Sequence, residues 1–244
     1  MRLLCCLCYH DAGDGDLQLL FRNIENINAY AADVTLVIHT NNDAAKQLIN
    51  DRHQHVVTIV AKNLLHPYHL AWQHRSYIRD HHADYDVVMY AEHDMLIMYK
   101  QISNFLHNLK HIWPHYVPGF LRYERSHDGT PYAVDVTTMR RCMVTLNETY
   151  VNAGALYQAC WMLPTPLLKS LVCDKFCRLP PRSNLTREHA ASFVNWTLRK
   201  PVLLQMLDDD QISPRSLIYH ASNKYVNMSN SCFSKTKISE LFKI

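Results

Sequence analysis

Up to Tyr90 the apolar residues fall into two arrangements, short unbroken runs and runs at helical spacing. Arg2 to Tyr9 is a run of the first kind and predicts a buried strand. After the loop His10-Asp11-Ala12-Gly13-Asp14-Gly15-Asp16, in which Asp14 or Asp16 is a plausible N-cap, Leu17, Leu20, Phe21, Ile24, Ile27 and Ala31 recur at helical spacing. They predict an amphipathic helix to about Tyr30. Val34 to His39 is a second buried strand, ended by the turn-prone Asn41-Asn42-Asp43. A short helix from Asp43 to Asn50 leads to a third strand, Val56 to Ala61. A longer helix follows the helix-starting Pro67, roughly from Tyr68 to His82. It feeds a fourth strand at Asp86 to Tyr90. Strands alternating with helices in this way predict a mostly parallel α/β sheet.

The pattern then changes. Lys100 to Leu109 reads as a helix closed by Pro114, and Val117 to Glu124 as a strand. His127-Asp128-Gly129-Thr130 is a hairpin-grade turn, with Tyr132 to Val136 as the return strand. Asn152 to Tyr157 is a small-residue segment leading to Cys160 to Pro164 and a helix from Pro166 to Cys173. Pro180 to Asn184 is a loop, and Thr186 can cap a helix beginning Arg187-Glu188-His189. A late strand, Ser216 to His220, precedes an Asn/Ser-rich tail and a last short helix at Ile238 to Phe242. The 244 residues suffice for one domain, with a first half running to residue 98 and a second from residue 99, where the pattern changes.

Between the two halves stands Tyr90-Ala91-Glu92-His93-Asp94. A strand that ends in Glu-x-Asp puts two carboxylates of the same parity on one side of the chain. In an open α/β sheet the carboxyl ends of the strands are where ligands sit. Two close carboxylates repel unless a proton or a cation lies between them, and a divalent metal carrying a phosphate-bearing substrate meets that need. An ordinary strand end with solvated acids is the plainer alternative. Only five glycines are present, so the chain has neither G-x-G-x-x-G nor a Walker A loop. If such a sheet binds a nucleotide, a metal has to handle the diphosphate.

Composition narrows the picture. The net charge of +3, without a Lys/Arg run, gives no footprint for nucleic acid. No apolar run approaches membrane-spanning length, and Met1 to Cys8 lacks the features of a signal peptide. Eight cysteines in a chain of this length do not form a disulfide framework. Reduced thiols and a cytoplasmic location are therefore expected, and the sequons at Asn147, Asn184, Asn195 and Asn227 are attributed to chance.

The strand–helix order ending in Glu92-His93-Asp94 resembles the GT-A glycosyltransferases, in particular small enzymes of algal viruses and microbes. The likeness extends to Leu70-x-x-x-His74-Arg75, to Pro118-Gly119-Phe120-Leu121-Arg122-Tyr123-Glu124, to Arg187-Glu188-His189, and to His220 followed by Asn223-Lys224-Tyr225. Many relatives carry Glu-Asp-Asp where this chain has an imidazole in the middle.

The resemblance implies a single GT-A domain with a central, mostly parallel sheet and a smaller mixed sheet on the acceptor side. It implies Mn²⁺ or Mg²⁺ and a nucleotide-sugar donor, UDP-sugar first, with a glycan acceptor. Asp94 would be the direct metal ligand, Glu92 would act through water or on the ribose, and His220 would complete the coordination. Lys224 would neutralise a phosphate. Arg75 would meet the donor phosphate or sugar, unless it pairs with an acid such as Asp86. Tyr9, His10 and Asp11 would grip base and ribose, and His93 would face the sheet interior or take a ribose or sugar contact.

For inverting transfer the acceptor hydroxyl needs a general base. Glu188 is the first candidate, with Asp135 and Asp209 behind it, although acids at helix N-termini commonly serve the helix dipole alone. Trp161, Tyr157 and Tyr123 are candidate acceptor platforms, or simply core. Two competing expectations are a sugar nucleotidyltransferase and a non-catalytic sugar- or nucleotide-binding module on the same fold. The acidic loop His10 to Asp16 disfavours the first of these, which ordinarily has a glycine-rich basic loop there.

Overall fold

The computed structural model describes residues 1–11, 17–134, 136, 139, 142–154, 156, 158–172, 174–178, 200–207, 211–228 and 236–242. Contacts divide the chain into two compact units. The first runs from Met1 to His93 and takes up the chain again at Ala159; the second begins at Asp94, runs to Gln158, and includes the described residues from Lys200 on. The boundary therefore falls inside the Glu-His-Asp triplet rather than after residue 98.

The first unit opens with β1 (Arg2–Tyr9), α1 (Leu17–Asn28), β2 (Asp33–Thr40), α2 (Asp43–Arg52) and β3 (Val57–Val60). Helix α1 buries Leu20, Ile24 and Ile27, the stripe its spacing predicts. Asn42 caps α2, its side-chain oxygen accepting from the amides of Ala44 at 2.7 Å and Ala45 at 3.4 Å. Between β3 and β4 the expected single helix is two pieces: a 3₁₀ turn over Pro67–Trp72, then α3 (His74–His81). His66 caps the 3₁₀ turn through Tyr68 N. β4 (Val87–Glu92) completes the unit's parallel core. β1 pairs in parallel with β2 and β4, and β2 with β3.

The second unit starts with β5 (Met95–Leu96) and α4 (Tyr99–Ile112), followed by β6 (Val117–Pro118) and β7 (Leu121–Arg125). The strand expected over 117–124 is thus broken at Gly119. A Cβ on that residue would lie 2.0 Å from Val202 Cγ1 and 2.8 Å from Gln158 Oε1, so only glycine fits. Phe120 N donates to the same Gln158 oxygen at 2.6 Å, taking the chain out of one sheet and into another. β8 (Pro131–Ala133) is the expected return strand. β9 (Met143–Thr145) and β10 (Thr149–Gly154) are strands that the polar sequence there does not announce.

β11 (Cys160–Pro164), α5 (Thr165–Lys169) and α6 (Asp174–Cys177) belong to the first unit, where β11 pairs antiparallel with β4. The resulting order is β11-β4-β1-β2-β3. The second unit ends with β12 (Val202–Gln205), β13 (Leu217–His220), α7 (Lys224–Asn227) and β14 (Thr236–Lys237). Its two sheets have the orders β6-β12-β10-β9 and β14-β8-β7-β13-β5. The architecture is the mixed α/β one expected. Among the described residues, no helix is long and apolar enough to cross a membrane.

Candidate metal centre

Strand register in the second unit builds a buried polar cluster. β13 lies between β7, which it pairs in parallel, and β5, which it pairs antiparallel. Tyr219 stands opposite Tyr123 on one side and Leu96 on the other, so the next residue, His220, comes beside Glu124 and Met95. Asp94, one residue before Met95, is held there by Ala221 N donating to its carbonyl at 2.8 Å.

The side chains then form a chain of three. Asp94 Oδ2 lies 2.8 Å from His220 Nε2, and Glu124 Oε1 lies 2.5 Å from His220 Nδ1. His220 and Glu124 are 0 % exposed and Asp94 is 4 % exposed. Burial alone would lower the pKa of His220, but Asp94 and Glu124 outweigh it against a smaller opposing effect of Arg122, so the pKa is raised above its ordinary value. The ring of Tyr225 stacks on His220 with centroids 5.4 Å apart, and Lys224 Nζ lies 5.1 Å from the Tyr225 ring.

This donor set suits a divalent cation. A carboxylate oxygen and an imidazole nitrogen face each other, and the far nitrogen of the ring is braced by a second carboxylate, as is usual for metal-ligating histidines. Among the described residues no group of three or more His, Cys, Asp or Glu side chains makes a ready metal cage. Two protein ligands match a cation that takes its remaining oxygens from phosphate and water.

In the first unit, Tyr9, His10, Asp11, Glu92 and His93 sit at the carboxyl ends of β1 and β4. Asp11, just past β1, is clasped by the loop after β2. Its amide donates to Asn41 Oδ1 at 2.8 Å, its carbonyl accepts from Asn41 Nδ2 at 3.0 Å, and its Oδ2 accepts from Asn42 Nδ2 at 2.5 Å. His10 is half-buried beside it.

Tyr9 does not offer the open stacking face expected of it. It is 1 % exposed, with its ring edge-on to His93 at 5.0 Å. His93 is fixed through its backbone, which donates to Cys8 O at 3.1 Å and accepts from Asn23 Nδ2 at 2.8 Å. Glu92 ends β4 as a buried acid whose amide donates to Ala159 O at 3.0 Å.

Arg75 also departs from the reading that puts it on a phosphate. It is 3 % exposed, its guanidinium lies 3.5 Å over the Trp72 ring, and Nη1 donates to Phe176 O at 3.1 Å. Burial brings its pKa down to about 9. Asp86, the alternative partner, instead accepts from Arg2 N at 2.7 Å.

Trp161 is core, its ring 5.8 Å from that of His74, and half-buried Tyr123 lies 5.3 Å from Tyr219. Glu188, Asp135, Asp209 and Tyr157 lie outside the described residues. Glu124 is the functional candidate that sequence reasoning missed. It closes the Pro118 to Glu124 segment of the resemblance, but on the strand Leu121–Arg125 it is one charged residue among three and nothing local singles it out.

Comparison with solved structures agrees with this architecture. A mannosyltransferase, PcManGT from Pyrobaculum calidifontis, in complex with GDP-Man and Mn²⁺, matches with a TM-score of 0.50 at 11% identity. The match covers 94% of this chain and 58% of that one. TarS of S. aureus matches with a TM-score of 0.51 at 12% identity, over 90% of this chain and 36% of that one. The mixed α/β fold is the one this chain shares with both neighbours. This chain spans less than two thirds of the length of either neighbour. No protein-family model matches the sequence, and no curated protein matches it.

Proposed function

We propose that this chain is a metal-dependent glycosyltransferase that moves a hexosyl or pentosyl group from a nucleotide sugar, UDP-sugar first, to a carbohydrate acceptor. The observation that carries this reading is the buried Asp94–His220 pair, 2.8 Å apart and braced from behind by Glu124. The fold shared with TarS and with a mannosyltransferase crystallised with GDP-Man and Mn²⁺ supports it.

In this mechanism Asp94 and His220 hold Mn²⁺ or Mg²⁺. A cation bound there supplies Lewis-acid stabilisation of the departing diphosphate. Lys224 offsets remaining phosphate charge. In the first unit, Asp11 is pre-set by Asn41 and Asn42 to accept hydrogen bonds from a base or ribose, with His10 beside it, and Glu92 would act through water on the metal or on the ribose. Glu188 takes the proton from the acceptor hydroxyl as it attacks, which inverts the anomeric centre. The acidic sequence His10 to Asp16 after β1 disfavours nucleotidyl transfer, which ordinarily uses a glycine-rich basic loop there.

Calorimetric titration of UDP and GDP, each with and without Mn²⁺, tests the reading. Binding that requires Mn²⁺ is the expected result, with UDP the tighter ligand. Binding indifferent to metal, or no binding of either nucleotide, overturns it.

A further inference from the structure

Glu124 uses both carboxylate oxygens on groups that bear on the proposed site. Oε1 meets His220 Nδ1 at 2.5 Å, and Oε2 accepts from Val226 N, in the helix that carries Lys224, at 2.6 Å. Its neighbour Arg125 extends the same clasp, with its amide donating to Asn223 Oδ1 at 2.8 Å. All of these groups lie in the second unit.

We propose that Glu124 is a positioning residue for the cation site, fixing the His220 ring with Nε2 toward Asp94 and anchoring the segment that bears Lys224. This rests on the reading of Asp94 and His220 as metal ligands. A neutral imidazole carries one ring proton, and an ionised carboxylate can only accept. With Glu124 behind the ring, that proton belongs on Nδ1, and the Nε2 lone pair faces the Asp94 carboxylate at 2.8 Å and the Ser222 hydroxyl at 3.1 Å. Two acceptors at 2.8 Å repel unless a proton or a cation lies between them. Glu124 thereby makes Asp94 and His220 a pair that a proton or a cation must bridge, and a bound cation takes the proton's place. It also ties that pair to α7, so that Lys224 and His220 keep a fixed spacing.

Glutamine at position 124 keeps the size but not the function. Its single oxygen can serve His220 or Val226, and its amide group then faces the other donor. Losing such a partner typically weakens metal affinity about 10–100-fold. Mn²⁺ alone, titrated into wild type and Glu124→Gln and read by electron paramagnetic resonance of the free ion, gives that ratio directly. A loss of about 10–100-fold is expected.

A second reading uses the wild type only. With diamagnetic Zn²⁺ in place of Mn²⁺, long-range ¹H–¹⁵N spectra should show His220 protonated on Nδ1 and metallated on Nε2. A merely structural Glu124 would change the melting midpoint of the variant and leave its Mn²⁺ affinity unmoved. Equal Mn²⁺ affinity in a folded Glu124→Gln, or His220 metallated on Nδ1, overturns the proposal. If the variant does not fold, the wild-type spectrum decides. Failure of the wild type to bind Mn²⁺ overturns the metal reading itself, and this one with it.

Discussion

Replacing His220 by alanine isolates the cluster's electrostatics. The imidazole is the group between two acids, 2.8 Å from Asp94 and 2.5 Å from Glu124, and all three side chains are buried. In the metal-free protein the raised pKa of His220 favours the imidazolium, which donates to both carboxylates. Truncation leaves two acids without that partner, away from water that would solvate them. Breaking a buried pair in this way costs about 3–5 kcal/mol. For a chain of this size each kcal/mol moves the thermal midpoint by roughly 2–4 °C, so a fall of about 6–20 °C is expected. Burial keeps salt from screening the effect, so the drop should persist in high salt. The assay is a thermal scan of both proteins at neutral pH in chelator, repeated with Mn²⁺. Wild type should gain stability with Mn²⁺, by about 2.7 kcal/mol at a hundredfold excess over Kd, and the variant should gain almost none. A drop of only a degree or two, or equal stabilisation of both proteins by Mn²⁺, would refute the reasoning.

Three further outcomes are expected. Because the folded-state pKa of His220 is raised, its contribution to metal-free stability is full below the ordinary histidine value and is lost as pH rises through the raised one. Mn²⁺ affinity should climb over that same interval as the competing proton leaves, which titrations stepped upward from the ordinary histidine value will read. His39 has the opposite sign. Burial lowers its pKa from 6.5 to about 4, so stability present above the higher value is lost as pH falls toward the lower. The loss is about 3 kcal/mol, and His39→Leu should flatten that limb of the midpoint–pH curve. Gly119→Ala should destabilise by about 1–3 kcal/mol through overpacking against Val202, measured by denaturant midpoint, and an unchanged midpoint would contradict the close approach.

Much of the first unit is legible in the sequence for a simple reason. Strands buried on both faces of a parallel sheet must be apolar throughout, so β1, β2 and β4 announce themselves as unbroken runs. The second unit is less legible because its elements depend on distant partners. The break at Gly119 exists because Val202 and Gln158 crowd that point, and no local pattern records them. β10 pairs with β12, Val151 opposite Leu204, so its Asn152 to Gly154 end shows in the sequence only as part of a small-residue segment.

The same holds at the site. Asp94 and His220 stand out as residue types at strand ends, but the bond from His220 to Glu124 spans 96 residues and depends on the register of β7 with β13. The misjudged roles have a common cause. An arginine or tyrosine beside a motif looks equally suited to a ligand or to the interior, and only packing distinguishes them. For Arg75 it is the Trp72 ring, and for Tyr9 the edge contact with His93.

The central claim is that Asp94 and His220 hold a divalent cation, and anomalous diffraction tests it most directly. Crystals soaked with UDP and Mn²⁺, measured at the manganese edge, should show one strong peak at coordination distance from both Asp94 Oδ2 and His220 Nε2, with phosphate oxygens on its open side. A peak bound elsewhere, or UDP bound with no peak between those two atoms, would contradict the claim.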